Sequence, residues 1–270
     1  MITDLLQDKE QQLIDYIKDQ KSIAIAYSGG VDSTYLAYIA HTTLEDNAQI
    51  IIADSPSIPR SELKTAIETA NSRQWNLEII KTSEHLNESY QANSGDRCYF
   101  CKNELFSEMS SWCKENGILK MAYGAIMDDL GDHRPGAQAA DEHMVLVPLQ
   151  EAKLSKEEIR VLSKKAGLPT ASKASFACLA SRLPVGEKVT VKKLSQIEMA
   201  EEVLKELNVS QYRARHHGEV CRIEVGEDDF SILFDKKNRL FLNEKLKKMG
   251  YKHIALDLAG YRTGSTNGLS

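Results

Sequence analysis

The chain predicts an α/β architecture, a parallel sheet with helices on both faces, followed by a smaller α+β C-terminal domain. Three observations carry this. Short apolar runs alternate with helix-patterned segments through the first 168 residues. The first run passes directly through Ser28-Gly29-Gly30 into helical pattern. After Gly167-Leu168-Pro169 the rhythm changes, which divides the chain into 1–168 and 169–270.

Taken in order, residues 3–18 carry Leu6, Leu13, Ile14 and Ile17 at helical spacing, and 22–27 read as a buried strand. Helical pattern resumes at 32–44. A strand at 49–54, a helix at 60–74 and a strand at 77–81 follow. Next come a helix at 97–116, a strand at 119–123, a Gly-rich loop to Gly136 and a short strand at 145–147. Ser155-Lys156-Glu157-Glu158 has capping-box spacing, in which Ser and Glu side chains satisfy orphan backbone N–H groups, and opens a helix ending at Gly167. Strands alternating with helices imply parallel pairing, because each crossover needs a helix-length connection. Beyond Pro169, a Ser/Ala-rich stretch at 170–181 leads to a helix at 191–207. Strands at 211–217 and 219–225, helical turns and a strand at 253–258 complete the chain.

Composition narrows the function classes. The 270 residues hold 34 basic and 39 acidic side chains, a net charge of −5, which argues against a surface built to coat nucleic acid. The longest apolar runs, such as 50–53, fall far short of the roughly 18 residues a membrane span requires. The first eight residues lack the basic start and apolar core of a signal peptide, so a cytoplasmic, reducing setting is expected. Five cysteines are too few for a disulfide scaffold of this length, and in such a setting they read as metal ligands, catalysts or core filling.

Two segments at the predicted strand ends carry phosphate chemistry. In Ser28-Gly29-Gly30-Val31-Asp32-Ser33-Thr34 the glycines permit a tight strand-to-helix turn and close approach of a ligand to the main chain. Free N–H groups at the start of the following helix make an anion site, with the Ser28, Ser33 and Thr34 hydroxyls as added donors. The Walker lysine is missing. A tight turn that binds nothing is the alternative, and the location at the C-terminal end of a first parallel strand favours nucleotide. Asp128-Asp129-Leu130-Gly131-Asp132-His133-Arg134-Pro135-Gly136 reaches the same sheet edge. Read alone, it is either a solvated turn or a source of acids for Mg²⁺ and of Arg134 for phosphate.

Cys98 and Cys101 are spaced i, i+3 at the start of a predicted helix, so both thiols share one side. The pair alone is a zinc half-site, a redox pair or two buried thiols. If the domains close, Cys178 could join them, and three thiolates suit zinc or a [4Fe–4S] cluster with one iron left open. Cys113 lies roughly 18 Å farther along that helix at 1.5 Å per residue, too far to join, and Cys221 alternates with apolar neighbours; both read as packing.

Together these segments resemble the PP-loop ATP-pyrophosphatase superfamily, a Rossmann-like group carrying SGGxDS and, in one branch, DDxxDxRPG. With Ala177-Cys178-Leu179-Ala180-Ser181-Arg182-Leu183-Pro184, Arg213-Ala214-Arg215-His216-His217 and Gly260-Tyr261-Arg262-Thr263-Gly264-Ser265, the chain resembles the LarE family of sulfurtransferases over residues 23–265. The resemblance implies that ATP, with Mg²⁺, adenylates a carboxylate of pyridinium-3,5-biscarboxylic acid mononucleotide. A sulfur nucleophile then displaces AMP, giving the thiocarboxylates of nickel-pincer cofactor biosynthesis for lactate racemase.

By the same likeness Ser28, Gly29, Gly30, Asp32, Ser33 and Thr34 hold the pyrophosphate portion of ATP. Asp54, Ser55, Gly124, Asp129 and Arg134 complete its site. Cys98, Cys101 and Cys178 resemble the ligands of a [4Fe–4S] cluster that passes on a sulfide from an external source; in another branch a lone cysteine matching Cys178 is sacrificed. Arg213 and Arg215 alternate on a strand and so share a face, and with Ser181 and Arg182 they would take the anionic substrate. Glu201 and Glu224 match acids lining the family's site. A homo-oligomer is the further implication, beside the expectation from composition of no membrane and no nucleic acid. The runner-up is a PP-loop tRNA thiolation enzyme, against which the acidic balance and the absence of paired zinc-ribbon motifs count.

Overall fold

A computed structural model describes residues 2–130, 135–174 and 177–262. The chain forms two compact units, Met1–Glu84 with Asp96–Phe176, and His85–Gly95 with Ala177–Ser270. Ile23-Ala24-Ile25-Ala26-Tyr27 offers no charged side chain to water and is buried along its whole length. It becomes the centre of the first unit. In chain order the elements are α1 (Ile2–Gln20), β1 (Ile23–Tyr27), α2 (Val31–Leu44), β2 (Ala48–Asp54), α3 (Arg60–Ser72) and β3 (Leu77–Lys81). A short α4 (Glu88–Ala92) belongs to the second unit and precedes α5 (Arg97–Glu115), β4 (Met121–Tyr123), α6 (Pro135–Glu142), α7 (Pro148–Glu151) and α8 (Lys156–Lys165).

All four strands of this unit are parallel, in the order β3-β2-β1-β4. Successive side chains of β1 point to opposite faces, and each face finds its own cover. Ile23, Ile25 and Tyr27 pack in one apolar cluster with Leu13 of α1, Leu36 of α2, Ala66 of α3 and Ile159 of α8. Ala24 and Ala26 join a second cluster with Phe106 and Met109 of α5 and Ala139 of α6. Burying each large aliphatic or aromatic side chain contributes about 1.5–3 kcal/mol, so neither face can be left open to water. This is the α/β layering the sequence predicts.

Two local expectations differ. The strand at 145–147 reduces to a single parallel bridge between Ala122 and Leu146, because Pro148, which has no N–H for a ladder, starts α7 instead. The Gly-rich loop to Gly136 is shortened by α6, which begins at Pro135.

The second unit continues with α9 (Val191–Glu206), β5 (Tyr212–His217), β6 (Val220–Val225), α10 (Phe230–Phe234), α11 (Lys236–Lys248) and β7 (His253–Leu256). Its sheet runs β5-β6-β7, the first pair antiparallel and the second parallel. Ala200, Leu204, Ala214, Ile223, Val225, Leu242 and Leu246 form its core. The excursion at 85–95 is fastened here. Val189 N–H donates to the Gln91 carbonyl at 2.8 Å and Gly186 N–H to the Asn93 carbonyl at 2.9 Å. Residues 169–174, by contrast, stay with the first unit, where Arg160 donates to the carbonyls of Ala171 and Lys173 at 2.7 and 2.8 Å. The units thus divide at 176–177 and discontinuously, whereas composition sets the boundary at 168. No helix among the described residues is long and apolar enough to cross a membrane.

Candidate functional site

The turn from β1 into α2 is shaped by two contacts that only glycine allows. Gly29 has φ +71°, and a Cβ placed there would lie 2.7 Å from that of Ala66. At the end of β4, a Cβ on Gly124 would come within 2.9 Å of the Ser33 nitrogen, so glycine lets that strand end close on the start of α2. Gly30 caps α2 without a side-chain hydrogen bond, and the helix therefore presents first-turn N–H groups for an anion. Ser33 stiffens the turn: its Oγ accepts from Ser28 N–H at 3.1 Å, contacts Ser28 Oγ at 3.0 Å and donates to the Gly30 carbonyl at 3.3 Å. Thr34 is fully buried, and its Oγ1 has no hydrogen-bond partner among the described residues.

Two cations meet this turn from the far end of the unit. Lys156 Nζ lies 2.5 Å from Asp32 Oδ2, while Asp32 Oδ1 is buried without a hydrogen-bond partner among the described residues. Lys173 Nζ donates to the Gly29 carbonyl at 2.9 Å and pairs with Glu62 at 2.6 Å. Sequence reasoning missed both. Lys156 reads as the first helical residue of a capping box, and Lys173 sits in a small-residue stretch without a motif. Nothing local betrays their approach to a turn more than 120 positions away.

At the end of β2 the expected nucleotide contacts are bound up with neighbours. Asp54 pairs with Arg60, whose guanidinium also donates to the carbonyls of Ser55 and Ile58. Ser55 is buried, contacts Ser57 Oγ at 2.7 Å and donates to Glu84, a carboxylate only 1% exposed. Ser57 Oγ donates to the same Glu84 oxygen at 3.0 Å, and Glu84 Oε2 is buried without a partner among the described residues. Glu84 is a buried acid that pattern reading had no means of finding. The acids expected to serve Mg²⁺ are engaged with backbone: Asp129 Oδ2 accepts from Ile126 N–H at 3.0 Å, and Asp128 Oδ2 from Lys156 N–H at 2.8 Å. Gly131, Asp132, His133 and Arg134 lie outside the described residues, as do Thr263, Gly264 and Ser265.

Cys98 is exposed and Cys101 half-buried in the first turns of α5, and none of the five cysteines is in a disulfide. The adjacent Lys102 ammonium lies 5.6 Å from the ring centres of both Phe106 and Tyr123. Burial holds its pKa below the ordinary lysine value, and the neighbouring Cys101 and Cys98 act in the opposite direction. Cys113 and Cys221 are core residues whose thiols burial pushes up to about 11 and about 12, so both stay protonated. Within each unit, no three His, Cys, Asp or Glu side chains of the described residues are gathered as metal ligands. Cys98 and Cys101 belong to the first unit and Cys178 to the second.

In the second unit Cys178 caps a single 3₁₀ turn, Leu179–Arg182. Arg182 is 1% exposed and braces that turn from behind. Its Nη1 donates to the carbonyls of Ala177 and Cys178 at 2.5 and 2.9 Å, and Nε and Nη2 pair with both Glu201 oxygens at 2.9 and 3.1 Å. Glu201 also accepts from Ala214 N–H at 3.1 Å, fixing α9 to β5. Arg215, also buried, donates to the Ser181 carbonyl at 3.0 Å and to Glu224 at 2.9 Å; Glu224 is completely buried and also meets Arg222 at 2.9 Å. Arg213 differs. It stacks on Tyr261, 4.9 Å from the ring centre, and no carboxylate of the described residues lies within ion-pair distance of it. Burial and the nearby Arg182 charge pull its pKa down, the mark of a cation short of negative charge.

No protein-family model matches the chain. Individual relatives align along nearly its full length. An uncharacterized protein of Synechocystis sp. is 37% identical over 266 residues, 97% of this chain and 98% of the relative. The pyridinium-3,5-bisthiocarboxylic acid mononucleotide synthase of Lactiplantibacillus plantarum is 30% identical over 267 residues, 97% and 95% of the two chains. An uncharacterized protein of Methanocaldococcus jannaschii is 29% identical over 243 residues, 90% and 92%.

Proposed function

Since this chain belongs to the LarE family of pyridinium-3,5-bisthiocarboxylic acid mononucleotide synthases, we propose that it is an ATP-dependent sulfurtransferase acting on pyridinium-3,5-biscarboxylic acid mononucleotide. The observation that carries this reading is the turn at 28–33, braced by the Ser28 and Ser33 hydroxyls and leading into a helix whose first turn has no side-chain cap, at the C-terminal edge of a parallel sheet, where open α/β sheets bind ligands. ATP binds with its phosphates on that turn. A substrate carboxylate oxygen attacks the α-phosphorus, the bond to the β-phosphate bridge breaks, and pyrophosphate leaves with both electrons of that bond. A sulfur nucleophile then adds to the acyl carbon and AMP departs, leaving a thiocarboxylate.

The chain's own residues divide this work. Arg213, short of a carboxylate partner, supplies the positive fork that a phosphate- and carboxylate-bearing substrate needs. Arg182, Glu201, Arg215 and Glu224 are positioning residues: their buried pairs hold the Cys178 turn and the strand carrying Arg213. Ser181 completes this turn, its Oγ donating to the Cys178 carbonyl at 2.8 Å. The unbonded Asp32 Oδ1 beside the phosphate cradle fits Mg²⁺, an oxygen-seeking ion, which would share the phosphate charge. Cys98, Cys101 and Cys178 are reduced and none is buried, a donor set that suits a [4Fe–4S] cluster, which when bound supplies the transferable sulfide. The chain would then be reloaded by a sulfide donor and turn over.

The test is to incubate anaerobically purified protein with MgATP, sulfide and the biscarboxylate nucleotide. Pyrophosphate and AMP should appear in step with a mass gain of one oxygen-to-sulfur exchange per carboxylate. Iron and acid-labile sulfide should be present in the active protein. Loss of hydrogen sulfide from Cys178, leaving dehydroalanine in iron-free protein, identifies the sacrificial route instead; pyrophosphate release only with tRNA overturns the substrate assignment.

A further inference from the structure

We propose that Lys173 is a cation of the phosphate cradle, donating its ammonium to the phosphates that leave as pyrophosphate; this rests on the nucleotide reading above. The turn is short of positive charge. Residues 28–34 contain one acid, Asp32, and no lysine or arginine, so the turn itself carries a formal −1. The N-terminus of α2 offers about half a positive charge, far less than a departing pyrophosphate needs. Lys156 is committed to Asp32 at 2.5 Å and cancels that carboxylate.

Lys173 remains. Its Nζ lies 2.9 Å from the carbonyl oxygen of Gly29, inside the turn, and 2.6 Å from Glu62. An ammonium has three N–H donors, and these contacts use two. The third has no partner among the described residues. With its side chain 22% exposed, the group is desolvated enough to act strongly and open enough to meet a ligand. Glu62 serves as its resting counter-ion, holding the ammonium at the turn until phosphate charge arrives. The backbone leading to Lys173 is itself fixed, since Arg160 donates to the Lys173 carbonyl at 2.8 Å.

The plain alternative is that Lys173 only pins its coil to the turn. The two roles part on which ligand suffers, because AMP lacks the leaving phosphates. Binding of magnesium pyrophosphate, a non-hydrolysable ATP analogue and AMP is measured by calorimetry on the full chain and on Lys173→Met, Lys173→Arg and Glu62→Gln. Lys173→Met should weaken pyrophosphate and the ATP analogue about 10- to 100-fold, the loss of one charge-assisted hydrogen bond, with AMP unchanged. Lys173→Arg should recover most of that loss. Glu62→Gln removes the same ion pair but frees the ammonium, so pyrophosphate should bind equally or more tightly. Unchanged pyrophosphate binding in Lys173→Met, or an equal loss for AMP, overturns the proposal. Should Lys173→Met fail to fold, Glu62→Gln decides, because weaker pyrophosphate binding there refutes a cation held in reserve. A wild-type chain that binds neither ATP analogue nor pyrophosphate fails the nucleotide reading itself, a distinct result.

Discussion

Arg182 shows how burial changes the meaning of a charge. As one of several arginines near a cysteine segment it reads as a substrate ligand, yet its guanidinium is 1% exposed and spends its donors on Glu201, the Ala177 and Cys178 carbonyls and Ser181 Oγ. A guanidinium matches a carboxylate bidentately and an ammonium does not. Arg182→Ala should therefore cost about 3–5 kcal/mol, because it strands the Glu201 carboxylate without its partner. Arg182→Lys should restore little of this. Denaturant unfolding of both variants provides the measurement, and a loss below about 1 kcal/mol, the range of exposed pairs, would contradict a buried brace. Arg213, two strand positions from Arg215, carries the opposite signature, stacking on Tyr261 instead of pairing with an acid. Spacing alone assigned both arginines to one face but could not tell which of them the protein keeps for itself.

At the scale of elements, period and capping chemistry made most of the fold legible. The strand at 77–81 and the helix starts at Arg60, Arg97 and Val191 stand where alternation and helical spacing put them. Ser155 and Glu158 make the reciprocal bonds of a capping box, at 3.3 and 2.9 Å. The shortfalls occur beside prolines: Pro148 cuts the apolar run at 145–147 to a single bridge, and Pro135 opens α6 inside the predicted Gly-rich loop. Side chains that tie one element to another were not legible, and Asp229 is an example. Burial alone would raise its pKa, but Ser210 and the backbone N–H groups of Ser210 and Gln211 outweigh this and hold it below the ordinary aspartate value of 3.8. A depressed folded pKa means stability that is fully present above the unfolded pKa and is lost as pH falls through the folded one. Unfolding free energy measured from neutral pH down through the carboxylate range should fall in the wild type. In Asp229→Asn the start should be lower and the acid slope shallower; an unchanged slope would remove Asp229 from the account.

Over the whole molecule, the discontinuous second unit is the feature that linear reading was least able to supply. Residues 85–95 interrupt the first unit in sequence yet fold with 177–262, because their backbone hydrogen bonds go there. Asn93 concentrates the fastening. It is 1% exposed, adopts φ +55° at the end of α4, and its Nδ2 donates to the carbonyls of Pro184 at 2.8 Å and Glu187 at 3.2 Å. Asparagine tolerates left-handed backbone better than alanine, and its amide satisfies two carbonyls that would otherwise lack these donors. Asn93→Ala combines both losses and should destabilise by about 2–4 kcal/mol. Asn93→Gly keeps the backbone and loses only the amide, so it should fall between alanine and wild type. Hydrogen exchange distinguishes a local clasp from a general loss: the Gly186 and Val189 amides, which donate to Asn93 and Gln91, should lose protection first, while those of β1 and β2 should stay slow. If β1 amides open in parallel, the segment is integral to the first unit and the division of the chain is not an energetic one.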